Sequence, residues 1–137
     1  MALVSTKGMY GLAAMYELYT LKSDKPVQIK VISQSAQIPQ NYLEQLLGLL
    51  KKAGFVSSIR GAHGGYILCE NAKDITVKEI FEVLEGDLSI VDSAIKNPAL
   101  SLFYKEKTDE LETMFNISLE NLSKYQELVS KEIIYSI

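Results

Sequence analysis

The sequence predicts a mainly α-helical fold carrying one small β-hairpin, and four stretches carry that prediction. Residues 38–54 have the periodicity of an amphipathic helix, residues 55–68 alternate on either side of a glycine-rich tip, and residues 75–86 and 97–115 return to helical spacing. A helix followed at once by a tight hairpin has the order of a recognition helix and its wing.

Taken in order, the chain opens with a helix over 5–21. Ser5 or Thr6 serves as its N-cap, and Leu12, Met15, Tyr16 and Tyr19 fall on one face, predicted to be inward. Lys7 and Tyr10 near its start read as solvated or packed residues, with a phosphate contact as the alternative. A polar turn over 22–26 leads to a short helix over 27–36, where Val27 and Ile32 bracket Gln28 as a hydrophobic staple. The next helix follows after a brief turn. Pro39 stands where a first turn tolerates a missing N–H, and Leu43, Leu46, Leu47 and Leu50 make one apolar stripe. Its other face carries Asn41, Glu44, Gln45, Lys51 and Lys52, with Gly48 bare among them, and Gly54 is a natural left-handed stop. Two short helices joined this way form a helix-turn-helix, whose second helix enters the major groove by its N-terminal residues. Gln40, Asn41, Glu44 and Gln45 would then meet base edges, since amides pair bidentately with adenine and a carboxylate accepts from cytosine. Taken alone, these residues equally describe a solvated helix face. Tyr42 is expected at the edge of the core, with a phosphate hydrogen bond as its other use.

In the hairpin, residues 55–59 and 66–68 alternate with β-branched side chains, separated by Gly61, Ala62, His63, Gly64 and Gly65. The glycine pair supplies either turn conformations or a slim backbone that can approach a sugar-phosphate wall. The glycines precede a strand rather than a helix start, which excludes a phosphate-cradling enzyme loop. Ile75, Thr76, Glu79 and Ile80 combine a staple with a capping box, Val77, Ile80, Phe81 and Leu84 form the stripe, and Gly86 ends a helix expected to pack the wing onto the body. Asn97 and Pro98 open a helix whose Leu100, Phe103, Tyr104, Leu111, Met114 and Phe115 mark one face over about five turns. A trailing helix with that stripe calls for a second copy of the chain to cover it, with packing on its own body as the alternative. Ser118 caps a last helix with Leu119, Leu122, Val129 and Ile133 as its stripe, expected to fold back over the dimer.

The segments YLEQLL, LKKAGFV, SIRGAHGGY, ITVKEIFEVLEG and STKGMYGL together resemble the Rrf-two family of bacterial winged-helix transcription regulators, in order over residues 5–86. The resemblance implies a winged helix-turn-helix plus a long C-terminal dimerisation helix, divided as 1–86 for DNA binding and 87–137 for dimerisation. It implies double-stranded DNA as partner, with Lys51 and His63 added to the contacting residues and Arg60 as the wing arginine. A guanidinium suits a narrow, negative A·T-rich minor groove. Cluster-binding members of the family place three cysteines in the segment matching 87–97, where this chain has none. No cofactor is expected, because there are no thiolates there to hold a cluster.

Charge is distributed to match. The net −3 divides into seven Lys/Arg against four Asp/Glu over 1–70, a balance of +3, and seven against thirteen over 71–137, a balance of −6. The half holding helix and hairpin is the basic one, and duplex binding needs only a local cationic face. Thirteen of the fourteen basic residues are lysine, while Arg60, the sole arginine, and His63, the sole histidine, share the hairpin tip. Cys69, the single cysteine, excludes an internal disulfide and is expected as a small buried hydrophobe. No signal peptide or membrane-spanning run is evident, so a cytoplasmic location is expected. No nucleophile and base stand at usable spacing, which argues against an enzyme. The expected function is a homodimeric regulator, a repressor on a palindromic operator. The alternatives are a winged helix that docks a partner enzyme and a thiol switch through Cys69, and a small-molecule effector is compatible with each.

Overall fold

The computed structural model describes residues 2–136, with side chains as far as residue 132. The elements are α1 (Thr6–Leu21), α2 (Ile29–Ala36), α3 (Gln40–Lys52), β1 (Val56–Ile59), β2 (Gly65–Leu68), a 3-10 turn (Ala72–Asp74), α4 (Val77–Glu85), α5 (Pro98–Met114) and α6 (Leu119–Ser136). α1 is central and packs on α2, α3 and α4.

The inward face of α1 differs from the one its apolar pattern predicts. Gly8, Gly11, Ala14, Met15 and Leu18 are buried, while Leu12, Tyr16 and Tyr19 are half-buried at the border. The cause is the close approach of α4: a Cβ added to Gly11 would lie 2.0 Å from Leu84 Cδ1. Where two helices must meet this closely the smallest side chains take the contact, and bulk is displaced to the flank.

The helix-turn-helix begins later than periodicity suggests. Gln28 is the N-cap of α2, because Val27 is extended and pairs with the hairpin: its N–H donates to the Tyr66 carbonyl and its carbonyl accepts from the Tyr66 N–H, each at 2.8 Å. Ile32 is wholly buried opposite. Pro39 caps α3 from outside, its carbonyl accepting from the Leu43 N–H at 2.9 Å, so the missing proline N–H costs the helix nothing. Leu43, Leu46, Leu47 and Leu50 are all buried to within 1%. At roughly 1.5–3 kcal/mol per fully buried leucine, this stripe fixes the height at which α3 stands above the core. The helix closes in a Schellman turn: Phe55 N–H reaches the Leu50 carbonyl and Gly54 N–H the Lys51 carbonyl, both at 3.0 Å, with Gly54 at φ +82.

In the hairpin Val56 pairs with Leu68 and Ile59 with Gly65, leaving residues 60–64 as the tip. α4 carries the full capping box, Glu79 N–H to Thr76 Oγ1 at 3.1 Å and Thr76 N–H to Glu79 Oε1 at 3.2 Å. Val77, Ile80, Phe81 and Leu84 are buried as the stripe requires. Its packing partners are α1 and α3, and Phe81 meets Phe115 edge-on at 5.0 Å. α4 therefore braces the helical core and the α5–α6 junction, which corrects the expected wing contact.

Asn97 Oδ1 accepts from the Leu100 N–H at 3.1 Å to start α5, with Pro98 in its first position. The expected six-residue stripe divides along the helix. Leu111 is buried, Tyr104 and Phe115 are half-buried, and Leu100, Phe103 and Met114 are exposed, as is Leu102. Only the last turns of α5 reach the body. Beyond them the chain is tied down by backbone bonds: Val77 N–H to Ile117 O and Lys78 N–H to Phe115 O at 2.8 Å, and Leu119 N–H to Ile75 O at 2.9 Å. Ser118 Oγ caps α6 through the Asn121 N–H at 3.1 Å, and Leu119 is wholly buried. The predicted stripe of α6 ends at half-buried Leu122. Val129 is exposed, together with Tyr125 and Leu128, and Ile133 lies outside the described side chains.

Candidate nucleic-acid interface

Gln40, Asn41, Glu44 and Gln45 stand exposed on the face of α3 opposite its leucines. None of these side chains has a hydrogen-bond or ion-pair partner within the described residues, and the same is true of Lys51, Lys52, Arg60 and His63. Their polar atoms are available to an outside surface. Tyr42 is half-buried and meets Tyr10 edge-on, ring centroids 5.9 Å apart, so the start of α1 supports the start of α3. Ser5, ahead of α1, is held by Glu85, its N–H donating at 2.8 Å and its hydroxyl also engaging that carboxylate.

Arg60 and His63 are both exposed on the hairpin tip, which turns through Gly61 at φ +112 and a bond from Gly64 N–H to Gly61 O at 3.0 Å. The two glycines read as slim points of approach to a phosphate wall have internal tasks. A Cβ on buried Gly64 would lie 2.0 Å from the Ile59 carbonyl oxygen, and one on Gly65 would lie 2.3 Å from the Val27 carbonyl oxygen. Gly64 lets the hairpin close and Gly65 lets α2 dock on it. Gln28 Nε2 completes the attachment by donating to the Ala62 carbonyl at 3.3 Å. Helix-turn-helix and wing are thus one unit. The sequence reading missed Val27 and Gln28 in this role, since a cross-segment backbone pair has no local pattern to announce it.

Cys69 corrects a second expectation. It is half-buried rather than buried, its N–H donating to the Phe55 carbonyl at 3.0 Å, and it lines a cleft shared with Lys22, Lys25 and Lys73. Lys73 follows closely in the sequence, and the fold brings Lys22 and Lys25 to the same cleft.

A helix-turn-helix presenting an unpartnered row of amides and a carboxylate, with a two-stranded wing tipped by a guanidinium beside it, defines the winged helix-turn-helix class of DNA-binding proteins. Within that class the chain belongs to the Rrf2 family, whose model, described as "Iron-dependent Transcriptional regulator", matches residues 4–130. It is a DNA-binding transcription regulator. The HTH-type transcriptional regulator CymR of Bacillus subtilis is 40% identical over 124 residues, covering 89% of this chain and 90% of that protein. The IscR regulator of Photobacterium profundum is 40% identical over 82 residues, 60% of this chain and 48% of that protein. The solved structure of CymR (YrzC), the global cysteine regulator of B. subtilis, superposes with a TM-score of 0.81 at 38% identity, covering 91% of this chain and 98% of that one.

The family description names iron, and the donor set of this chain does not fit it. Among the described residues no three His, Cys, Asp or Glu side chains are grouped to hold a metal ion, and residues 87–97 contain no cysteine. Among those residues, too, no helix is long and apolar enough to cross a membrane.

Proposed function

We propose that the protein is a cytoplasmic homodimeric repressor of a palindromic operator, with the first half of α3 from each protomer in a major groove and each wing in the flanking minor groove. The observation that carries this reading is the exposed, unpartnered row Gln40, Asn41, Glu44 and Gln45, held rigid by four buried leucines beside a wing bearing the sole arginine. Gln40, Asn41 and Gln45 read adenine and Glu44 accepts from cytosine. Lys51 and the Tyr42 hydroxyl take phosphates, and Arg60 with His63 enters the minor groove on a tip whose closure Gly64 and Gly65 permit.

Residues 1–86 form the DNA-reading unit and residues 87–137 the dimerisation region. Support for the pair comes from α5, on which Leu100 is 45% exposed, Leu102 66%, Phe103 49% and Met114 59%, an apolar surface that a second copy covers. Two-fold pairing spaces the recognition helices about 34 Å apart, or a small multiple of it, and repression follows from occupying duplex that polymerase needs. Selection of bound duplexes from random sequence tests this, together with light scattering. Recovery of inverted repeats and a dimer mass is the expected result; half-sites without symmetry, bound by a monomer of 15.3 kDa, would overturn it.

A further inference from the structure

We propose that the cleft behind the wing binds a small organic anion with an apolar part, such as a phosphate ester or carboxylate, and that its occupation steadies the wing. The cleft measures about 360 Å³ and is walled by the last turn of α1, the turn leading to α2, strand β2 with its exit, and the 3-10 turn. That volume is at the lower end of the ~300–1,000 Å³ usual for small-molecule sites. Lys22 and Lys25 reach it from the turn after α1 and Lys73 from the 3-10 turn, and none forms an ion pair within the described residues although Asp24 and Glu70 line the same cleft. With three ammonium groups against two carboxylates, the cleft keeps a positive excess that an anion would neutralise. Leu18, Val27 and Ala72 supply an apolar wall for the rest of such a molecule.

Lys22 ends α1 in the left-handed region, φ 49, as Gln37 ends α2 at φ 56, and this helix stop carries its backbone to the rim of the cleft.

The position of the cleft gives the ligand something to act on. Val27 and Tyr66 line it and also form the backbone pair that fastens the wing to α2. An anion held by Lys25, two residues before Val27, and by Lys73 ties the α2 side of that joint to the 3-10 turn beyond the hairpin. It favours the attached wing, so ligand and DNA strengthen each other's binding, reciprocally. This coupling rests on the reading of the wing as a minor-groove element; the cleft itself does not.

The test uses phenyl phosphate, with inorganic phosphate and phenol as its two halves, titrated into the full chain by amide NMR without DNA. Phenyl phosphate should shift the amides of Val27, Tyr66 and Lys73 and leave those of Asn41 and Gln45 in place, binding more tightly than either half. Lys22→Gln combined with Lys73→Gln, both exposed positions, should weaken it roughly tenfold, the value of about one charge-assisted contact. Absence of cleft shifts at millimolar phenyl phosphate, or equal binding by the double variant, overturns the site. So does a shallower salt dependence of DNA binding in the ligand-free double variant, which assigns these lysines to the duplex. In the DNA arm phenyl phosphate should tighten binding severalfold for the parent and not for Arg60→Ala. Cleft binding without that gain overturns the coupling alone, whereas an Arg60→Ala protein that binds DNA like the parent overturns the wing reading.

Discussion

Replacing Gly65 by alanine should uncouple the wing from the helix-turn-helix while leaving the core intact. The added Cβ would fall 2.3 Å from the Val27 carbonyl oxygen, about 1 Å short of the 3.4 Å at which ordinary contact begins, and Gly65 already sits at φ +143. Val27 must withdraw, and with it go two backbone hydrogen bonds of 2.8 Å. Each such bond contributes a net ~0.5–1.5 kcal/mol, and the left-handed backbone adds ~1–2 kcal/mol for a residue with a Cβ. The joint is thereby weakened by about 2–5 kcal/mol, enough to leave the wing detached most of the time. The loss in DNA affinity is limited to what the wing contributes, about 1–3 kcal/mol or roughly 5- to 150-fold. Fluorescence anisotropy on a duplex with A·T-rich flanks measures it, and circular dichroism checks that helix content is kept. Because both changes remove the same wing contact, Gly65→Ala with Arg60→Ala should bind about as weakly as the worse single variant. Parent-like affinity of Gly65→Ala on A·T-flanked sites, with the fold retained, would refute the idea that attachment of the wing to α2 governs its use.

Arg60→Ala should cost about 1–3 kcal/mol of binding, most on A·T-rich flanks, and Arg60→Lys should fail to restore it because an ammonium is more strongly hydrated than a guanidinium. A titration series over flanking sequences reads both. Gln45→Ala or Glu44→Ala should relax base preference inside the half-site while keeping the salt slope, as measured by selection on partly randomised duplexes. Phe103→Glu should give monomers by light scattering with an unchanged helical spectrum, since Phe103 is 49% exposed; Leu111→Glu should unfold the chain, because Leu111 is buried against its own body. Protein prepared without air should be colourless and bind DNA with no iron present; a visible band tracking bound iron and sulfide would contradict the donor set.

Much of this architecture is legible in the sequence because it is encoded locally. The leucine spacing of α3 is a local period, and its glycine stop, the capping box of α4 and the Asn-Pro start of α5 each satisfy backbone groups within a few residues of themselves, so pattern alone recovers them. The exposed polar row of α3 follows from the same periodicity once the inward stripe is known. What the sequence hides is set between segments. The inward face of α1 is selected by α4 approaching Gly11, against the apolar pattern. Val27 leaves its helix to pair with Tyr66, and the glycines of the tip serve that closure. The stripe of α5 reads as a single face, yet it divides because only the end of the helix reaches the body, a matter of where a distant junction is fastened.

That junction has a further consequence. The three backbone bonds linking residues 75, 77 and 78 to 115, 117 and 119 fasten the end of α5 to the body that carries the helix-turn-helix. In the proposed pair, two such bodies are carried on arms of fixed reach, like the jaws of a locked calliper. The protein then has little freedom to follow an operator whose half-sites are one base pair too near or too far. The duplex must supply the adjustment by twisting or bending, at an energy set by the flexibility of base steps no side chain touches. Those central steps, read through their stiffness, become part of the recognised sequence.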